Sequence, residues 1–302
     1  MRKVRVLLYH RVANLSIDTN LLAVSPENFW EHMSWIKERF PIIRFDSDWS
    51  DIEEESVCIT FDDGYRDNYL NAFPVLQRLH IPATIFVSTG NIGTDCEMWW
   101  DELERNLLLA KAYPKEFQLQ DEEFGCTWNL TSEERRKDLY TSLHYLMKNA
   151  ISVERRNDWL RQLREWNGYK TTGRNENHMV SPQELREMAV AGLTIGAHTV
   201  NHPSLGKLTK QEQYKEISQS KLELERILGK SINTFSYPFG GDEDYNQDTI
   251  EICKTLGFKQ VAANVQGDWY GGSVYEIPRR IVRNWNLKEF EWNFKKDDEW
   301  SI

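Results

Sequence analysis

Val57-Cys58-Ile59-Thr60-Phe61-Asp62-Asp63-Gly64 is the stretch that decides the fold. Five residues of β character run straight into two carboxylates and a glycine, so an apolar strand ends on a pair of acids. Upstream, Val4 to Tyr9 reads as a buried strand, and Ser25-Pro26 opens a helix with Phe29, Met33 and Ile36 on one face. Ile42-Ile43 reads as a further strand. Downstream come a helix over about 70–79 and the strand Ala83-Thr84-Ile85-Phe86-Val87. Strand, helix and strand in alternation imply parallel strands with right-handed crossovers.

The pattern breaks between Thr94 and His178. This segment is rich in Glu, Arg, Leu and Trp, with helical periodicity around 103–109, 139–147 and 159–166. It shows no convincing strand, and the spacing predicts a helical insertion or lid over 94–178, closing in a polar linker at 171–175. The βα pattern then resumes. Ser181-Pro182 with Glu184 makes a capping box, and Leu193 to Ala197 is a strand ending at His198. A long helix covers Lys210 to Leu228, with Gly229 as its C-terminal cap. Strands at 235–237, 260–263 and 280–282 follow, with a helix over 247–256. Six or seven βα units with one interruption predict an α/β protein, a distorted (β/α)7-type barrel within a single 1–302 domain. Chemistry in such barrels sits at the carboxyl ends of the strands. His10, Asp62-Asp63, His198 and Tyr237-Pro238 all fall there.

Bulk properties narrow the function. The 302 residues are 40% hydrophobic and 12% aromatic, enough for a large core. A net charge of −10 disfavours a nucleic-acid partner. Twelve tryptophans serve helix packing first, though Trp rings also stack on sugars. Cys58, Cys96, Cys126 and Cys253 are scattered without a CxxC pair, so no thiolate zinc site is expected. No apolar run approaches the roughly 20 residues of a transmembrane segment. The apolar run near the N-terminus is too short for a signal peptide, so a cytoplasmic protein is expected. The charged run Lys295 to Glu299 reads as a solvated end.

Two motifs carry chemistry. Neighbouring side chains on an extended chain point different ways, so Asp62 and Asp63 can divide roles, one binding a metal and one acting as general base. Gly64 permits a tight turn after them; an Asp-Gly turn with no further role is the plain alternative. In His198-Thr199-Val200-Asn201-His202-Pro203, two imidazoles four apart follow a strand and can converge on one ion. Zinc suits two imidazoles, one carboxylate and an open position; loop histidines that merely cap backbone groups are the alternative.

Together these motifs resemble the polysaccharide deacetylase family, carbohydrate esterase family 4, also called the NodB-homology domain. The resemblance covers about residues 3–93 and 179–285. It implies that Asp62 is the general base, and that Asp63, His198 and His202 hold Zn2+ or another divalent metal such as Co2+ or Ni2+. Many members carry Arg-x-Pro-Tyr in a third motif, where the Arg orients the base. Here Phe235-Ser236-Tyr237-Pro238-Phe239-Gly240 puts Ser236 in its place, as in the Tyr-Pro-aromatic-Gly branch. The Phe239 main-chain N–H remains the candidate oxyanion donor. The orienting cation then falls to Arg279 or Arg280, between which the sequence does not choose, with surface charge as the alternative. No histidine follows His202, so His10 takes the place of the family's late general acid; substrate binding or packing is its alternative. Tyr237, Trp99 and Trp100 are candidates to line a sugar cleft, although a Trp pair at the foot of a helix is more often core.

The resemblance implies hydrolysis of the acetamide of an N-acetylated sugar to amine and acetate. A related amidase acting on a cyclic imide, a ureide or an N-formyl group is one rival, and a non-catalytic sugar-binding relative is another. With no secretion signal read, a sugar nucleotide, lipid-linked sugar or oligosaccharide intermediate suits the chain better than a cell-wall polymer.

Overall fold

The structure is a computed structural model describing residues 3–110 and 113–296. Met1, Arg2 and the acidic half of the C-terminal charged run, Asp297, Asp298 and Glu299, lie outside the described residues. The chain divides into two compact units, Met1–Gly93 with Val180–Ile302, and Thr94–Met179.

In the first unit seven strands form one parallel sheet: β1 (Val4–Tyr9), β2 (Ser56–Phe61), β3 (Thr84–Val87), β4 (Thr194–Ala197), β5 (Thr234–Ser236), β6 (Gln260–Ala262) and β7 (Arg280–Ile281). Their spatial order is β6-β5-β4-β3-β2-β1-β7, and every pairing is parallel. The segment before β7 reaches across to β6: Ile277 N–H donates to the Val261 carbonyl at 3.0 Å, and Ala263 N–H to Ile277 at 2.9 Å. This is the distorted (β/α)7-type barrel that the strand–helix alternation predicts.

The apolar runs form these strands because both faces are covered. All residues of β1 and β2 are buried, the pattern of parallel strands under helices. Their register sets Tyr9 opposite Phe61. One residue further, His10 and Asp62 leave the sheet at the same rim.

Caps fix the helices where the sequence placed them. Ser25 caps Pro26–Arg39, the Ser181–Glu184 capping box opens Pro182–Val190, and Gly229 at φ +66° closes Lys210–Leu228. The helix expected over 70–79 begins earlier, as a wide turn over Asn68–Ala72 that passes into Phe73–Leu79. Its Asn68 and Asn71 amides donate to the carbonyls of His10 and Val12, at 2.8 and 2.7 Å. Ile42-Ile43 forms no strand; Ile42 makes a single bridge to Val57, and Pro41 beside it has no N–H with which to extend a ladder. The sequence also gave no warning of the helix Leu287–Lys295, which buries Phe290 and Phe294.

The second unit is built on the helices Trp99–Leu108, Glu133–Asn149 and Val153–Asn167, with Leu103, Leu107, Leu139, Leu143, Trp159 and Leu163 buried. Its expected all-helical character needs correction. Glu116–Gln120 and Gly125–Asn129 form an antiparallel hairpin, with Phe117 opposite Trp128. Phe117 and Leu119 point inward while Glu116, Gln118 and Gln120 face water. Long polar side chains on the outer face disguised a period of two. All four cysteines are free. Among the described residues no helix is long and apolar enough to cross a membrane.

Candidate active site

Four strand ends supply the site. Asp62 continues the sheet by one residue, its N–H donating to the Tyr9 carbonyl at 3.0 Å. Asp63 then turns at φ +72° and Gly64 at φ +84°. That turn separates the two carboxylates. A Cβ on Gly64 would meet Val87 Cγ1 at 2.7 Å, so the glycine also lets the backbone lie against β3.

His198 follows β4. Its Nδ1 lies 2.7 Å from the Ser236 carbonyl; a carbonyl only accepts, so Nδ1 carries the proton and Nε2 keeps a lone pair. That Nε2 faces Asp63 Oδ1 at 3.7 Å. His202 Nε2 approaches the same oxygen at 3.3 Å. Between them the chain adopts left-handed conformations at Thr199 (φ +64°) and His202 (φ +51°). The described chain has six non-glycine residues at positive φ, and four of them, Asp63, Thr199, His202 and Phe239, belong to these strand-end loops. Such conformations cost energy and persist where surrounding contacts impose them.

The donor atoms of Asp63, His198 and His202 lie within 4.8 Å of one another, and all three residues are buried. Burial pushes His198 down to about 4, against the opposing pull of Asp62 and Asp63, so its imidazole is neutral near pH 7. Burial also raises the Asp63 carboxyl, with His10 and His198 only partly offsetting it. Two imidazoles, one of them neutral, and one carboxylate in a desolvated cluster are a donor set whose chemistry fits a divalent cation.

Asp62 has a different environment. Burial alone would raise its carboxyl, but the Arg279 guanidinium and His198 outweigh that and hold it well below the usual carboxylate range. Arg279 grips both oxygens at 2.7 Å. The arginine is fully buried and is itself fixed by the Ala263 carbonyl at 3.0 Å and Ser236 Oγ at 2.8 Å. Ser236 Oγ also donates to Asp62 Oδ2 at 3.1 Å.

The profile of the polysaccharide deacetylase family matches residues 50–117 and 165–261, more than half of the sequence. The chain belongs to the polysaccharide deacetylase family. The matched spans carry Asp62, Asp63, His198, His202 and Ser236, while His10 and Arg279 lie outside them. Among relatives, a poly-β-1,6-N-acetyl-D-glucosamine N-deacetylase of Staphylococcus aureus is 29% identical, covering 91% of this chain and 77% of its own. Bacillus subtilis YxkH, provisionally named a polysaccharide deacetylase, is 23% identical over 85% of this chain; the match spans 63% of that protein's length. In three dimensions the fold resembles a Streptococcus pyogenes deacetylase, PplD, solved with acetate (TM-score 0.61, 19% identity, 97% of this chain and 99% of that one). It also resembles IcaB from Ammonifex degensii (TM-score 0.62, 18% identity, 97% of both chains). At these identities the likeness is one of fold.

Within this family member the geometry separates the two arginines. Arg280 is corrected out of the site. It follows Arg279, the residue that leads into β7, so its side chain leaves the opposite face, where Nε and Nη2 grip Asp268 at 2.6 and 2.8 Å. Arg5 joins the same carboxylate at 3.3 Å. Neither arginine is surface charge; both are fully buried.

Ser236 and Thr60 were missed. The sequence showed Ser236 only as an absent arginine, yet its small side chain touches both Asp62 and the guanidinium arriving from β7. Thr60 Oγ1 lies 3.4 Å from the same guanidinium.

His10 is partly buried at the end of β1, its carbonyl held by Asn68. Burial lowers its pKa, Asp63 and Asp62 oppose that, and Arg279 and Arg283 reinforce it. The imidazole therefore lies within the field of both carboxylates. Phe239 sits at φ +61° with its ring edge-to-face on His202 at 4.6 Å.

Three expected sugar contacts need correction. Tyr237 is fully buried, donates its hydroxyl to the Tyr275 carbonyl at 2.9 Å and stacks on Tyr245; it is core. Trp99 and Trp100 are 6% and 5% exposed. Trp99 packs within its own unit against Trp100, His144 and Arg156. Neither ring offers the open face on which a sugar stacks.

Proposed function

We propose that the chain is a metal-dependent de-N-acetylase that hydrolyses the acetamide of an N-acetylated sugar to a free amine and acetate. The observation that carries this reading is the division of labour between neighbours. Asp63 joins His198 and His202, whereas Asp62 stands beside them, clamped by Arg279. The names of the Staphylococcus aureus relatives support a polymer or oligomer of β-linked N-acetylglucosamine as the substrate class, ahead of a sugar nucleotide.

Asp63, His198 and His202 would hold the metal. A divalent cation bound there lowers the pKa of water and polarises a carbonyl. Asp62, kept ionised by Arg279, accepts the proton of the attacking water. Arg279 and Ser236 fix the carboxylate so that one orientation is presented. The Phe239 main-chain N–H is the candidate donor to the developing oxyanion. His10 delivers a proton to the departing sugar nitrogen, which leaves as an amine; losing such an acid lowers turnover by roughly 10²–10⁴-fold.

The test is metal analysis of the purified protein, followed by acetate release from N-acetylglucosamine oligosaccharides. Asp63→Ala and His202→Ala are expected to lose metal and activity together. Full acetate release by a metal-free His202→Ala protein would overturn the proposal.

A further inference from the structure

One buried carboxylate beside the site has no part in the reaction derived above. Glu216 lies on the helix Lys210–Leu228 and is 8% exposed. Its Oε2 accepts the main-chain N–H groups of Val200 and Asn201, at 3.0 and 2.8 Å. Its Oε1 accepts the Asn201 side-chain amide at 2.7 Å. These bonds fall on the turn between His198 and His202.

The other polar backbone groups of that turn show how much rests on Glu216. The carbonyls face the segment after β3: Ser88 Oγ donates to His198 at 2.9 Å, Thr89 N–H to Thr199 at 3.1 Å and Gly90 N–H to Val200 at 2.9 Å. The His202 N–H is met locally by Thr199 Oγ1 at 3.0 Å. For the N–H groups of Val200 and Asn201, a single carboxylate supplies the acceptor. The turn it closes holds two residues in left-handed conformations, Thr199 and His202, which a free loop would abandon.

We infer that Glu216 is a positioning residue for the metal site: it holds the 199–202 turn in the one conformation that aims both imidazoles at Asp63. The inference rests on the metal-dependent reading proposed above. Partners behind metal ligands typically account for about 10–100-fold in affinity.

The experiment strips the full-length protein of metal and titrates it with Zn2+ against a chromophoric chelator, and with Co2+ while recording visible absorption. Wild type, Asp63→Ala, Glu216→Ala, Glu216→Asp and Glu216→Gln are compared. Glu216→Ala is expected to lose about 10–100-fold in Zn2+ affinity and to change the Co2+ spectrum. Glu216→Asp, one methylene too short for both N–H groups, shows the same loss and serves if the alanine variant does not fold. Glu216→Gln keeps an oxygen for both N–H groups, and a flip of the Asn201 amide restores the remaining bond, so it recovers most of the affinity. A merely structural role would lower the melting temperature of the metal-free protein and leave the spectrum alone. Wild-type affinity and spectrum in Glu216→Ala or Glu216→Asp overturn the inference, as does an equal loss in Glu216→Gln, which would make the effect one of charge. A wild type that binds neither metal, indistinguishable from Asp63→Ala, overturns the metal reading itself and this inference with it.

Discussion

Arg279 meets Asp62 through two parallel bonds of 2.7 Å, across 217 positions of sequence. A planar guanidinium matches a carboxylate in this way and fixes its orientation as well as its charge, which a lysine ammonium cannot do. Arg279 is fully buried, so the guanidinium cannot turn to water instead. Asp62 is therefore held ionised and aimed, although burial alone would favour its neutral form.

Arg279→Met should raise the Asp62 carboxyl, because the burial that opposes ionisation stays and the cation that overcomes it goes. The acid limb of kcat/KM then moves to higher pH, and kcat/KM at its optimum falls by roughly 10²–10⁴-fold. Arg279→Lys restores charge without the fork and should recover only part of the rate. A pH–rate profile of each variant decides; an acid limb that stays put in Arg279→Met removes Arg279 from its role.

Arg280→Met should do the reverse. The side chain of Asp268 is fully buried, and breaking a buried pair by removing one partner costs about 3–5 kcal/mol. Lys3 and Arg5, each 3.3 Å from Asp268, soften that to roughly 2–4 kcal/mol. Denaturant midpoints should fall while kcat of the folded enzyme is unchanged. A catalytic defect as large as that of Arg279→Met would show that the two faces of β7 have been assigned the wrong way round.

Gly64→Ala tests the turn that separates the two carboxylates. The new Cβ must adopt a left-handed conformation, costing about 1–2 kcal/mol, and it meets Val87 Cγ1 at 2.7 Å. A stability loss of about 2–4 kcal/mol is expected. Adding Val87→Ala removes the clash but leaves the backbone strain, so the double variant should be less destabilised than the two single variants summed. Strict additivity in urea unfolding would refute the contact.

The parts of this site that were legible in the sequence are those where chemistry and chain direction coincide. Apolar runs that end on Asp62-Asp63 and on His198 announce parallel strands and their carboxyl rim together, because in a βα barrel the two facts are one. Arg279 and Arg280 were indistinguishable because a strand of two residues has no periodicity from which to read its phase; pairing with β1 decides which side chain enters the barrel. Ser236 was read as a missing arginine, since nothing local says that its small volume admits a guanidinium from β7. Tyr237 was misread for the opposite reason: it stands beside Ser236 in the motif, but alternation turns it into the core. The hairpin at 116–129 escaped because Glu and Gln, good helix formers, occupy the outer face of its first strand. Glu216 looked like any charge on an amphipathic helix. Its partners are backbone amides, which no side-chain pattern reveals.

His32 gives a stability prediction independent of the site. It is fully buried on the first helix, stacked on Phe290 with ring centroids 3.9 Å apart. Its Nε2 reaches the Trp285 carbonyl at 2.8 Å and so carries the proton; its Nδ1 lies 3.3 Å from the Tyr9 hydroxyl and accepts from it. The neutral ring is thus satisfied at both nitrogens, and burial pushes its pKa down to about 4, with the Trp285 carbonyl only partly opposing. In the unfolded chain the value is about 6.5. As pH falls from about 6.5 towards 4, the unfolded chain takes up a proton that the folded one refuses, so stability is lost across that window and levels off below it. Between pH 7 and pH 5 the loss from this one group is about 2 kcal/mol. His198 titrates in the same direction, so the comparison must be with His32→Gln, which cannot charge. In the metal-free protein that variant should be less stable at pH 7, having lost the stacked ring, yet its unfolding free energy should decline less steeply on acidification. Parallel declines for the two proteins would mean that His32 is not held neutral in the fold.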